Sequence, residues 1–309
     1  MRAVAEAPSK VIITGEHFVV HGAWALSAAI PMNTRVVVEP SDKLEIGSKA
    51  FPGPESPEGL PFMKVTEAMS KKFSFEPKFK ATIDPGVRVG AGLGSSASAL
   101  VAFASAVSRF HSLALGVEGV IEASMEGERL VHGTPSGVDP ETCARGGVLL
   151  FRPGSEPKKV SFKGERTLLL SFSGAVRSSK PQISKVFEES KRFPGMFGGL
   201  VRSVSEMSLR AAEMLADSDS EGLGRLLNLS HAVLSGLGVS SAELDRAVDA
   251  SISLGSYGAK LTGAGRGGYV VSVAPKGKEK RIISGLRARG FETFKVTVPS
   301  GGVRSWLER

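Results

Sequence analysis

Hydrophobic and polar positions in the first fifty residues fall into short runs. Residues 11–14, 25–30, 34–39 and 43–46 are each rich in β-branched or other apolar side chains, and each reads as a strand. The N-terminal region is therefore expected to be sheet-rich. Four prolines between 51 and 61 mark a surface loop. Roughly helical spacing follows at 62–73, 96–112 and 117–132, the last carrying Val120, Ile121, Met125, Leu130 and Val131. The small and apolar run 97–107 is most simply a buried core helix. A strand at 146–151 and a polar, lysine-rich turn at 153–165 lead to a second β element at 166–173. The domain boundary is placed in that turn, giving domains 1–164 and 165–309. The second domain reads as α+β: helices near 197–217, 221–236 and 240–253, then strand, glycine-rich turn and strand through 259–274, a helix near 277–289 and a strand at 294–298.

Length and composition agree with a two-domain enzyme: 309 residues, 41% hydrophobic and 23% charged. No segment approaches the length of a membrane span, and the N-terminus lacks the apolar core and cleavage site of a secretory signal. A cytoplasmic protein with no membrane partner is expected. The single cysteine, Cys143, excludes an intrachain disulfide and a cysteine metal cluster, and its neighbourhood suits packing. Lysines and arginines exceed acids by 39 to 31, a net charge of +8, but they are dispersed, with only a modest concentration at 276–289. A solvated surface explains them better than nucleic acid, which is not expected as a partner.

Candidate chemistry lies in three glycine-bearing motifs. Residues 90–98 read Gly-Ala-Gly-Leu-Gly-Ser-Ser-Ala-Ser and open the apolar helix. Glycines there let several N–H groups point at one spot, and the helix adds its positive end, so the loop suits a phosphate. It is not the P-loop, which places a lysine where Ser95 and Ser96 stand. Charge must come from elsewhere in the chain or from a metal ion. The first motif, 7–22, holds Lys10, Glu16 and His17; the third, 258–269, is a glycine-dense turn between apolar strands. Each is weak alone. Asp139 could be a turn or capping residue, Lys10 a surface lysine and Glu128 half of a helical surface pair. His17 and His21 have the spacing of a helical zinc motif, but the stretch between them reads as extended, so no zinc site is expected.

Together and in this order the motifs closely resemble those of the GHMP kinases, over nearly the full chain. The wording Gly-Glu-His-Phe-Val-Val-His-Gly at 15–22 is similar to the branch acting on mevalonate, where galactokinases read GEHTDY. Residues 127–140 resemble that branch's segment bearing the catalytic aspartate, and 228–245 its following helix-turn-helix. The resemblance implies an N-terminal domain similar to a ribosomal-protein fold and a ferredoxin-like C-terminal domain, with the active site in the cleft between them. It implies an ATP- and Mg2+-dependent kinase acting on mevalonate in isoprenoid precursor synthesis.

Carried over by motif position, Gly90, Ala91, Gly92, Leu93, Gly94, Ser95, Ser96 and Ala97 would bind ATP. Ser96 and Glu128 would hold magnesium. Asp139 would be the general base, with Lys10 beside it offsetting charge on the transferred group. Glu16 and His17, the latter as a donor, would face mevalonate, together with Ser179, Gly263 and Ala264. The chain departs from the family pattern at Arg266, within the third motif's glycine run, where either the turn tolerates a side chain or the arginine reaches the nucleotide. Pro140 and Ser9 also depart, without removing a reacting group. Rival readings are a kinase of the same family acting on phosphomevalonate or on the tertiary hydroxyl of mevalonate, and a nucleotide-binding sensor without catalysis. A phosphorylated substrate should need extra basic groups near the first motif, where His17 and Arg177 are the obvious ones. The presence of both Lys10 and Asp139 argues against a sensor. A homodimer is compatible with the resemblance, which does not fix the oligomeric state.

Overall fold

The computed structural model describes residues 1–48, 53, 55–162, 167–176 and 180–309. Positions 51, 52 and 54 of the expected proline loop, 163–165 of the expected lysine-rich turn with the expected domain boundary, and 166 of the expected β element lie outside them. β1 (Arg2–Thr14) and β2 (Ala25–Pro40) form a long antiparallel pair at the centre of the first sheet. The strands expected at 25–30 and 34–39 are therefore one. Pro8 faces Asn33 and Ser9 faces Ile30, so two residues of β2 bulge out and the ladder resumes on either side of Pro31. β1 is longer than expected because its first half is built on Ala3, Ala5 and Ala7, small residues that pack under helices but carry little strand signal.

The rest of this sheet is β3 (Glu45–Ser48), β4 (Phe79–Asp84), β5 (Val148–Phe151), β6 (Lys158–Lys159) and β11 (Arg304–Glu308). Its order is β11-β1-β2-β4-β3, with β5 also on β2 and β6 on β5. β4 was not expected, although buried Phe79, Ala81 and Ile83 alternate with exposed Lys80, Thr82 and Asp84. Nor was β11, which returns from beyond the expected boundary at 164/165 to pair with β1. α1 (Leu60–Phe73), α2 (Ser95–Phe110) and α3 (Val117–His132) cover the sheet, with Phe62, Met69, Phe79, Leu100, Phe103 and Val107 among the residues of the shared core. α4 (Val138–Arg145) starts after Gly137 in a stretch whose glycines and prolines conceal it from helical periodicity.

The second sheet joins β7 (Thr167–Phe172), β8 (Gly258–Leu261), β9 (Tyr269–Val273) and β10 (Thr293–Thr297), all antiparallel, in the order β10-β7-β9-β8. α9 (Glu279–Ala288) links the last two strands. Four helices, α5 (Lys180–Arg192), α6 (Pro194–Asp217), α7 (Ser220–Gly236) and α8 (Ala242–Ser253), link the first two. This is the split βαβ arrangement of ferredoxin-like domains with its first crossover enlarged. α5 was not among the expected helices. Val11, Ile13, Leu26 and Ile30 of the first sheet share a core with Leu168, Leu170, Val271 and Val296 of the second. The far half of β1 thus runs along the seam between the two sheets. Among the described residues no helix is long and apolar enough to cross a membrane.

Candidate active site

The loop after β4 has a backbone shape suited to an anion. Gly90, Gly92 and Gly94 have φ of 75°, 86° and 73°, while the intervening Ala91 and Leu93 do not share that left-handed sign. Such alternation turns successive N–H groups toward one side. Gly94 also caps α2, whose first turn has neither a side-chain cap nor an acidic residue, so the helix's positive end is left for a ligand. Ser95 Oγ accepts from the Gly90 N–H at 3.3 Å and closes the loop, and Lys10 N–H donates to Leu93 O at 3.0 Å, tying it to β1.

Glycine is also required here by close approach. A Cβ on Gly92 would lie 2.8 Å from the Thr262 carbonyl oxygen, one on Gly263 2.8 Å from Gly92 Cα, and one on Gly268 2.4 Å from the Ala91 oxygen. The third motif therefore backs directly onto the phosphate loop, backbone against backbone. Arg266 fits this turn with φ 63°; its N–H donates to Val239 O at 2.7 Å and its exposed guanidinium to Ser240 O at 3.4 Å. The turn tolerates the side chain, which is bonded to the α7–α8 connection.

Two further pairs meet at the loop. Lys10 Nζ lies 3.0 Å from Asp139 Oδ2 and 3.4 Å from Gly92 O, with the lysine almost wholly buried and Asp139 still 28% accessible. Asp139 is in the first turn of α4, where the helix dipole favours a negative charge. Ser96 Oγ donates to Glu128 Oε1 at 2.6 Å across α2 and α3. Burial raises the Glu128 pKa to about 7; the Asp139 charge adds to this, while the Ser96 bond and Lys10 oppose it. Four residues distant in sequence, Lys10, Ser96, Glu128 and Asp139, are thus brought to one place.

The first motif turns at the same seam. β1 ends at Thr14, and 15–21 is a turn followed by a short 3₁₀ segment (Val19–His21), which corrects the extended reading of this stretch. Gly15 at φ 103° and His17 at φ 64° flank Glu16. His17 Nε2 is 3.0 Å from the Ala264 carbonyl oxygen, which can only accept, so Nε2 carries the proton. Burial lowers the ring's pKa to about 4, an effect the Ala264 bond opposes, and the neutral imidazole presents Nδ1 as an acceptor. Donation to a substrate by Nε2 would require it to leave the Ala264 oxygen. His21 instead packs its ring on Phe197 at 4.8 Å. Among the described residues no group of three or more His, Cys, Asp or Glu could hold a metal ion, which leaves Ser96 with Glu128 as the oxygen pair to consider.

Glu16 is buried and ion-paired with Lys260, a residue of β8 that sequence reasoning missed. The signal was present: a lysine inside a short apolar strand is out of place unless paired. Gly263 supports the loop and Ala264 holds His17. Ser179 and Arg177 lie outside the described residues.

Comparison with known proteins finds relatives over nearly the whole chain. The family models for the GHMP kinases N terminal domain and the GHMP kinases C terminal match residues 61–147 and 211–292. A mevalonate kinase of Aeropyrum pernix is 33% identical, covering 98% of both chains, and one of Thermococcus sibiricus is likewise 33% identical over 98% of each. The crystal structure of L. major mevalonate kinase in complex with R-mevalonate superposes with a TM-score of 0.81 at 30% identity, covering 96% of both chains.

Proposed function

The chain belongs to the GHMP kinase family, and from that premise we propose that it transfers the γ-phosphoryl group of ATP to the primary hydroxyl of mevalonate. The observation that carries this reading is the Lys10–Asp139 pair set against the Gly90–Ser95 loop. The loop's N–H groups and the start of α2 hold the β- and γ-phosphates. Asp139 accepts the hydroxyl proton as the substrate oxygen attacks phosphorus and the bond from phosphorus to the β–γ bridging oxygen breaks, leaving ADP. Lys10 places its charge where negative charge spreads over the phosphoryl oxygens.

Ser96 and Glu128 fit a magnesium ion: a hydroxyl and a carboxylate are hard oxygen donors, enough for a cation that takes its other ligands from phosphates and water. When bound, magnesium neutralises phosphate charge and orients the γ-group. A cation there also favours the charged form of the buried Glu128 carboxyl. The two buried lysines of the seam are each matched by a carboxylate, Lys10 by Asp139 and Lys260 by Glu16, which favours mevalonate over a phosphorylated acceptor. We assign the reaction to the cytoplasm, since neither membrane nor nucleic acid is needed by this chemistry.

Incubation with Mg·ATP and, separately, mevalonate and phosphomevalonate tests the reading, with ADP release and phosphorus NMR of the product as readouts. Mevalonate 5-phosphate is the expected product. Turnover of phosphomevalonate alone, or phosphate on the tertiary hydroxyl, would replace this substrate assignment.

A further inference from the structure

Glu16 has one carboxylate oxygen bound and one free. Oε1 receives Lys260 Nζ, while Oε2 is buried and has no hydrogen-bond partner among the described residues. A buried carboxylate oxygen without a donor is costly, and such atoms call for an explanation. The lysine is the opposite case. Besides Glu16, its ammonium donates to Leu261 O at 2.6 Å and Ile12 O at 3.4 Å, so all three N–H bonds are used. Lys260 has nothing left to offer a ligand, whereas Glu16 has.

The neighbouring residue repeats the pattern. His17 ties Nε2 to Ala264, four residues beyond Lys260, and leaves Nδ1 as an acceptor. Consecutive side chains between the left-handed Gly15 and His17 thus each spend one atom on the second sheet's third motif and keep one acceptor free. Two adjacent acceptors suit a molecule with hydroxyl groups. Lys10 is near enough for its charge to act on both Glu16 and Lys260, so Asp139, Lys10, Glu16 and Lys260 form a row of alternating charges. Thr262, next on the same face of the turn, exchanges two hydrogen bonds with the Ile12 backbone, from its N–H at 2.9 Å and to its carbonyl at 3.1 Å.

Resting on the kinase reading above, we propose that Lys260 is a positioning residue for the phosphoryl acceptor: it holds Glu16 as a carboxylate with Oε2 turned to receive a substrate hydroxyl. Burial alone would favour the neutral acid at Glu16, and the Lys260 charge is the main influence opposing it. Without Lys260 the carboxyl either takes a proton or draws on Lys10, at the expense of Asp139.

The test compares wild type with Lys260→Met, Lys260→Arg, Glu16→Gln and the double variant Lys260→Met/Glu16→Gln, measuring KM for mevalonate, KM for ATP, kcat and thermal unfolding midpoint. Lys260→Met should raise the mevalonate KM by roughly tenfold or more with the ATP KM unchanged. Lys260→Arg should recover part of the loss. The double variant should be no worse than the worse single, because the two residues act as a unit. Should Lys260→Met fail to fold, the double variant, which buries no unmatched charge, and Glu16→Gln still report the acceptor KM. An unchanged mevalonate KM in Lys260→Met, equal losses for both substrates, or multiplicative losses in the double variant would overturn the proposal. If wild type instead uses another hydroxy acid, the substrate assignment fails separately, and the same variants are judged on that acceptor.

Discussion

Asp139 sits in the first turn of α4 with Lys10 against one oxygen and solvent at its side, as the proposed role of base requires. Asp139→Asn keeps the shape and removes the carboxylate proposed as the base. It should lower kcat by about 10²- to 10⁴-fold while leaving binding of a non-hydrolysable ATP analogue unchanged, as judged by calorimetry and steady-state rates. His17 gives a second prediction at this scale. Its pKa falls from the usual 6.5 to about 4 on folding. Between those values the unfolded chain binds a proton that the folded chain refuses, so this group's contribution to stability is lost as pH falls, by up to about 3 kcal/mol. Glu16 and Glu128, whose pKa values are raised, act with the opposite sign over their own range. The measurement is therefore a difference: urea titrations from pH 7 to 4 should show a shallower loss for His17→Asn, a residue that accepts the left-handed backbone at φ 64°.

At the scale of elements, the loop proposed to seat phosphate is supported by a turn 170 residues later, and this support can be separated from backbone strain. Gly268→Ala would place a methyl 2.4 Å from the Ala91 oxygen at φ 88°. Gly290→Ala meets nothing within 4 Å at a similar φ of 87°. Both incur left-handed strain of about 1 kcal/mol. Only Gly268→Ala should raise the ATP KM, by roughly tenfold, because only it pushes the loop. The loop itself was legible from sequence because its geometry is local: glycines at alternate positions before an apolar helix dictate both turn and dipole. Lys260 was missed because its meaning depends on a partner 244 residues away; only its anomalous place in an apolar strand could have raised suspicion. β4 was legible in its alternation and overlooked, whereas α4 was hidden by the same glycines and prolines that start it.

For the whole molecule, β11 shows how far pairing can escape local pattern. Its five residues join β1 over Arg2–Glu6, and its ends are held by Arg35 on Glu308 at 3.0 Å and Arg304 on Glu6 at 2.7 Å. Its neighbours in the chain give no hint of this, since the partner strand is 300 residues away. Deleting 304–309 uncovers the edge of β1 and should lower the unfolding midpoint by roughly 5–10 °C in scanning calorimetry, with the ATP KM unchanged.

The contact of Gly92 with Thr262 and Gly263 has a consequence for dissection of the enzyme. The half before a cut between β6 and β7 holds Lys10, the 90–97 loop, Glu128 and Asp139 but loses the turn that backs the loop and the lysine that pairs with Glu16, so neither half contains a finished site. Produced as separate polypeptides cut there, the halves should fail to transfer phosphate when apart. Mixing should restore phosphoryl transfer only as they associate, which makes this fold a natural two-fragment reporter of proximity.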